Sequence, residues 1–147
     1  LRLGAFDRSW SSPALASSET ISAIGCAAIT TTHLADIDHG TWSGRTFAEV
    51  ETAAPEALYQ WLANPAAGTP DGEALTDVVC RIAIWLDQIA SRDGRCLAVT
   101  HPMTIRAALI HAIAMPENTA CAIDIAPLST TTLSFNRRWR LQEIRRA

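Results

Sequence analysis

His101 stands between an apolar run, Cys96-Leu97-Ala98-Val99-Thr100, and Pro102, which opens an amphipathic stretch reaching about Ala114. Proline at the first helical position already has a helical φ and gives up no hydrogen bond there. The pattern predicts a buried strand, an imidazole at its carboxyl end and a helix N-terminus beside it. Open α/β sheets bind ligands at that end of their strands, and free backbone N–H groups there favour phosphate. Taken alone, His101 reads equally well as a residue that packs at a strand end.

The other histidines offer less chemistry. His39 lies in a loop segment where it would pack or line a pocket, His33 falls on the same loop, and His111 falls on a helix face. No two-histidine-plus-carboxylate spacing occurs on a helix and no Cys-x-x-Cys pair is present, so no metal or other cofactor is expected. No Gly-x-Ser-x-Gly elbow exists, which argues against a serine hydrolase triad.

These residues need elements to hold them. Arg8 to Ser11 reads as a strand, and Ser12-Pro13 as an N-cap and first helical residue of a helix ending near Ile24, before Gly25. Cys26 to Thr30 is an apolar, β-rich run, and 31–43 is loop-like. Thr46 caps a helix from Phe47, Pro55 opens another, and Asn64 to Gly72 is a loop. From about Glu73 to Ala90, Leu75, Val78, Val79, Ile82, Trp85, Leu86 and Ile89 recur at spacings of three and four, predicting the longest helix. Ala122 to Ala126, Thr130 to Phe135 and Trp139 to Ile144 read as strands, the last two as a hairpin around Asn136-Arg137-Arg138. Alternating strands and helices predict a mostly parallel sheet covered by helices on both faces.

The 147 residues fit one domain with a real core. The formal net charge of -3 lacks the basic footprint of a nucleic-acid binder. Arg137, Arg138, Arg140, Arg145 and Arg146 flank a turn and the chain end, as a solvated surface would. No run is apolar enough to span a bilayer, and no signal peptide is visible. Cys26, Cys80, Cys96 and Cys121 sit in apolar contexts and read as reduced core residues of a cytoplasmic protein.

Four segments in order resemble the histidine phosphatase (phosphoglycerate mutase-like) superfamily. Thr100-His101-Pro102-Met103-Thr104-Ile105-Arg106-Ala107 resembles its second-histidine motif, with Pro-Met where Gly-Gly is common. Leu34-Ala35-Asp36-Ile37-Asp38-His39-Gly40-Thr41-Trp42-Ser43-Gly44 is similar to its acid loop, in which an acidic residue precedes Gly-x-Trp-x-Gly. Ser12-Pro13-Ala14-Leu15 followed by Glu19-Thr20 resembles its Ser-Pro-x-x-Arg-Ala-x-Gln-Thr helix start. Pro70-Asp71-Gly72-Glu73-Ala74 resembles the Pro-Gly-Gly-Glu-Ser that leads into its long helix.

The resemblance implies a three-layer α/β/α sandwich and phosphoryl transfer through a phosphohistidine, which splits one hard step into two easier ones. It makes His101 a donor to phosphoryl oxygens and Asp36 the general acid, although an aspartate there also reads as a turn residue accepting backbone hydrogen bonds. The expected ligand is phosphate or a small phosphorylated metabolite. The family's opening Arg-His-Gly strand has no counterpart in Leu1-Arg2-Leu3-Gly4, so the nucleophile is expected upstream of Leu1, with the first strand and helix. Ala16 stands where a phosphate-binding arginine is usual, and Ser17 replaces a small apolar residue. Arg45 is the candidate to reach the phosphate instead, though it also reads as solvent-exposed, and the Ser12 hydroxyl is a candidate donor to phosphate, though it also reads as an N-cap. Losing one preorganised donor of this kind costs about 3–4 kcal/mol of transition-state stabilisation. A non-catalytic binding or regulatory module on the same fold is the alternative reading.

Overall fold

The computed structural model describes residues 4–146, so Leu1-Arg2-Leu3 and Ala147 lie outside the described residues. In chain order the elements are β1 (Arg8–Ser11), α1 (Leu15–Ile24), β2 (Ile29–Thr30), α2 (Phe47–Ala53), α3 (Pro55–Ala63), α4 (Leu75–Ala90), β3 (Cys96–Val99), α5 (Pro102–Ile113), α6 (Glu117–Ala120), β4 (Thr130–Asn136) and β5 (Arg138–Arg145). β1 lies at the centre of a three-stranded parallel sheet of order β2-β1-β3, and β4 and β5 form a separate antiparallel ribbon. This is the expected α/β fold with a parallel sheet.

The site depends on the register of β1 against β3. Ser9 pairs with Leu97, Trp10 with Ala98 and Ser11 with Val99, so both strands end at the same level. The Ser12 N–H then donates to the Val99 carbonyl at 2.9 Å, which carries the alignment one residue past the ladder. Side chains alternate along β1. Trp10 turns to α4 and meets Trp85 edge-on at 5.7 Å, leaving the buried Ser9 and Ser11 for the opposite face.

The core lies where the α4 stripe meets α5 and the sheet. Leu75, Val78, Ile82 and Leu86 are almost fully buried there with Leu34, Ala107 and Trp10. Removing one such leucine would cost about 2–5 kcal/mol, through lost transfer free energy and a cavity. α2 begins as predicted: the Thr46 hydroxyl accepts the Glu49 N–H while the Glu49 carboxylate accepts the Thr46 N–H.

Several sequence expectations change. α1 starts two residues after Pro13, because the Ser12 side chain caps the turn ahead of it, accepting the Ala14 N–H at 3.2 Å. The strand expected over Cys26 to Thr30 shrinks to two residues, since the Cys26 N–H is held by the Ile21 carbonyl as α1 closes at Gly25. No strand forms over Ala122 to Ala126. The Ala122 and Ile123 N–H groups bond Thr119 and Ala120 in local turns, which removes donors that a ladder would need. β3 is half-buried, with β1 as its one strand partner among the described residues; the buried strand is β1. The cysteines are free, as expected of reduced residues, but Cys80 and Cys121 are exposed and none is a fully buried core residue.

Candidate functional site

His101 leaves the end of β3 as the N-cap residue of α5, with an extended backbone. Its Nε2 lies 2.8 Å from Ser12 Oγ and 3.4 Å from Ser17 Oγ, and its Nδ1 lies 3.5 Å from Asp36 Oδ2. The β1–α1 turn, the first turn of α1 and the loop after β2 thus meet on one ring at the end of β3. The support beneath His101 is buried, with Ser12 at 1% and Ser17 at 4% relative exposure. The His101 side chain is itself 15% exposed, whereas that of Asp36 is 46% exposed.

Asp36 sits on a loop that other elements hold in place. The Thr100 hydroxyl donates to the Leu34 carbonyl and the Thr104 hydroxyl to the Ala35 carbonyl, each at 2.6 Å. From α4, Arg81 donates to the carbonyls of His33 and Asp36, both at 2.9 Å, and pairs through Nε with Glu73 Oε1 at 2.9 Å. Glu73 in turn accepts the Asp38 N–H at 2.9 Å. Burial pushes the Glu73 carboxyl up, but the Arg81 hydrogen bonds, the Asp38 N–H and the Arg81 charge outweigh burial and the nearby Asp38 charge. The net result is a pKa below the usual carboxylate value.

Asp36 also lines a cleft of about 400 Å³ with His33, Asp38, Glu73 and Arg81, and His101 is not part of its wall. The backbone fits closely where the acid loop meets the segment leading into α4. A Cβ on Gly72 would lie 2.4 Å from the Asp38 carbonyl oxygen, and one on Gly40, whose φ is +50°, would lie 2.3 Å from that of Pro70. The acid loop and the segment leading into α4 therefore pack backbone against backbone.

Of the residues singled out in the sequence, the structure brings together His101, Asp36 and Ser12. The Asp36 carboxylate also makes the turn contact of the alternative reading, Oδ1 accepting the Ile37 N–H at 2.9 Å. Arg45 is exposed just ahead of α2, and among the described residues it forms no hydrogen bond or ion pair with His101, Asp36 or Ser12. Ala16 is exposed on the first turn of α1. His33 Nδ1 lies 3.1 Å from Thr31 Oγ1, His111 Nε2 lies 3.1 Å from Asp87 Oδ1, and His39 is half-buried ahead of Gly40. The C-terminal arginines named above are exposed, and Arg146 pairs with Asp124.

Sequence reasoning missed Arg81, and with it the clamp on the acid loop. Its one signal is a charge on the margin of the α4 apolar stripe, two turns after Glu73. Thr100 and Thr104 stand out in the sequence only as parts of a motif, and their loop-holding bonds to carbonyls 66 and 69 residues away carry no local signal.

A family model for the histidine phosphatase superfamily (branch 1) matches residues 1–146, and the chain belongs to that superfamily. Over 75 residues it is 33% identical to the bifunctional protein Rv2228c of Mycobacterium tuberculosis (strain ATCC 25618 / H37Rv). That match covers 50% of this chain and 21% of the relative, so it spans about a fifth of the longer protein. Among solved structures, mycobacterial hydrolase 1 superposes with a TM-score of 0.82 at 23% identity, over 96% of this chain and 76% of that one. The alpha-ribazole phosphatase from Shigella flexneri gives 0.82 at 14% identity, over 99% and 76%. The mycobacterial glucosyl-3-phosphoglycerate phosphatase Rv2419c, in a complex with VO3, gives 0.79 at 23% identity, over 92% and 74%. At these identities the structural likeness is one of fold.

Proposed function

We propose that this protein is a phosphatase acting on a small phosphorylated metabolite through a phosphohistidine. The observation that carries the reading is the approach of His101 Nδ1 to Asp36 Oδ2, 3.5 Å apart at the carboxyl ends of the parallel strands. In this reading a nucleophilic histidine nitrogen attacks phosphorus, and His101 donates to a phosphoryl oxygen. Asp36 gives its proton to the departing alkoxide oxygen. Water then attacks the phosphohistidine, returning a proton to Asp36 and releasing phosphate.

The nucleophile belongs, in this proposal, to a strand and helix preceding Leu1 that complete the single domain of 1–147. Support comes from the sheet. Among the described residues β3 has a strand partner on one side only, and β4 and β5 pair only with each other. The hydroxyls of Ser129, Thr130 and Thr131 and the Trp139 indole N–H are buried without partners. Unpaired edges and buried unpaired polar atoms are costly, and a further strand would relieve the first of these. The solved relative in complex with VO3 agrees with a phosphoryl-sized ligand.

The test is hydrolysis of p-nitrophenyl phosphate by the protein together with its encoded upstream residues. His101→Ala should lower kcat by about 100- to 1,000-fold, the usual effect of losing one preorganised donor. An unchanged rate in that variant would overturn the assignment. The exposed Ala16 favours a second reading, a phosphate-binding module without turnover, for which vanadate would bind and no substrate would be hydrolysed.

A further inference from the structure

We infer that the hydroxyls of Ser12 and Ser17 decide which nitrogen of His101 carries the proton: Nε2 is held inward as an acceptor, and Nδ1 bears the hydrogen on the side facing Asp36. The seat is a property of the apo protein; its use in holding an oxyanion rests on the phosphatase reading above.

The argument is a count of donors and acceptors. A serine hydroxyl has one hydrogen and two acceptor lone pairs. Ser12 Oγ already accepts the Ala14 N–H at 3.2 Å and lies 2.8 Å from Nε2, the one described partner left for its own hydrogen. Ser17 Oγ has one described partner, the same Nε2 at 3.4 Å, and the residue is 4% exposed. A hydrogen on Nε2 would leave the hydrogens of both buried hydroxyls without an acceptor. A bare Nε2 receives the short Ser12 bond, with Ser17 behind it. The bond made by one ring nitrogen sets the state of the other, so the neutral ring carries its hydrogen on Nδ1.

The order Ser12–His101–Asp36 matches that of a serine hydrolase relay, but Ser12 is 1% exposed and its oxygen is engaged with a backbone N–H. It is a positioning residue. Ser17, which stands where the resemblance leads one to expect a small apolar side chain, adds a second hydroxyl to the same seat. The hydrogen-bearing Nδ1 is then the atom that an incoming oxyanion meets, beside the Asp36 carboxylate.

The experiment is long-range ¹H–¹⁵N correlation of the histidine rings in the full chain at alkaline pH. The His101 signals are assigned by their loss in His101→Gln. The expected spectrum has a protonated, pyrrole-type Nδ1 and a bare, pyridine-type Nε2. Ser12→Ala should move both nitrogens toward a tautomer mixture, and Ser17→Ala should move them less, in the same direction. A wild-type spectrum with a protonated Nε2 overturns the inference, and that result needs no variant to fold. Ring shifts unmoved in both folded variants also overturn it. Titration with inorganic phosphate separates the two claims. A shift of Nδ1 on binding, with affinity about two- to tenfold weaker in Ser12→Ala, supports both. The expected tautomer without any response to phosphate, in the protein together with its encoded upstream residues, upholds the seat and rejects the phosphoryl role of His101.

Discussion

His101 and Asp36 reach one another from supports built on different principles. Beneath His101 the support is neutral and buried: two aligned strand ends, a backbone bond from Ser12 to Val99, and two hydroxyls on Nε2. Around Asp36 it is partly ionic and wetter. A guanidinium from α4 grips two loop carbonyls and a glutamate, and two threonine hydroxyls hold the loop from the other side. The first support fixes a ring by ladder register. The second pins a loop that has no ladder of its own, using a long arginine from α4 and two short hydroxyls at and after the end of β3. Perturbations should therefore separate: changes in the arginine clamp move Asp36 and spare the ring, and changes in the serines do the reverse.

Arg81→Met tests that separation most severely. It leaves two carbonyls and the Glu73 carboxylate without their partner, and we expect a loss of about 2–3 kcal/mol in urea unfolding. The tautomer signals of His101 should stay in place in the folded fraction. If they change as much as in Ser12→Ala, the two supports are one. Thr104→Val keeps the shape of a fully buried side chain and removes the bond to the Ala35 carbonyl, for an expected loss of about 1–2 kcal/mol. Acid should weaken the loop support. The Glu73 pKa lies below the ordinary 4.5, so its contribution is complete above that value and fades as pH falls through the lower folded value. Glu73→Gln should flatten the dependence of stability on pH in this acid window, which a series of urea melts would reveal. Smallest in its bearing on the site is Thr46→Ala, which removes the cap of α2 for about 1 kcal/mol and should leave phosphate binding unchanged.

The same contrast explains what could be read from the residues alone. The His101 support is legible because its parts are local: an apolar run, a histidine and a proline announce a strand, its end and a helix, and Ser12-Pro13 announces the neighbouring turn. That β3 pairs with β1 alone among the described residues was not legible, because the composition of Cys96 to Val99 suits a strand flanked on both sides. The clamp on the acid loop was hidden for another reason. Arg81 and the Asp36 carbonyl it holds are 45 residues apart, and a backbone acceptor has no residue type to give it away. The mistaken strand over Ala122 to Ala126 shows the limit of apolar content as a signal, since short turn bonds captured its first N–H groups.

The level ending of β1 and β3 has a consequence for how this molecule tolerates change in length. One residue added within either strand would turn its last side chain to the other face and separate Ser12 from His101. The helical excursion over α2 and α3 contributes nothing to that ladder, so residues can be gained or lost there while the imidazole stays in its seat. Length variation should accordingly be accepted in the excursion and refused in the strands.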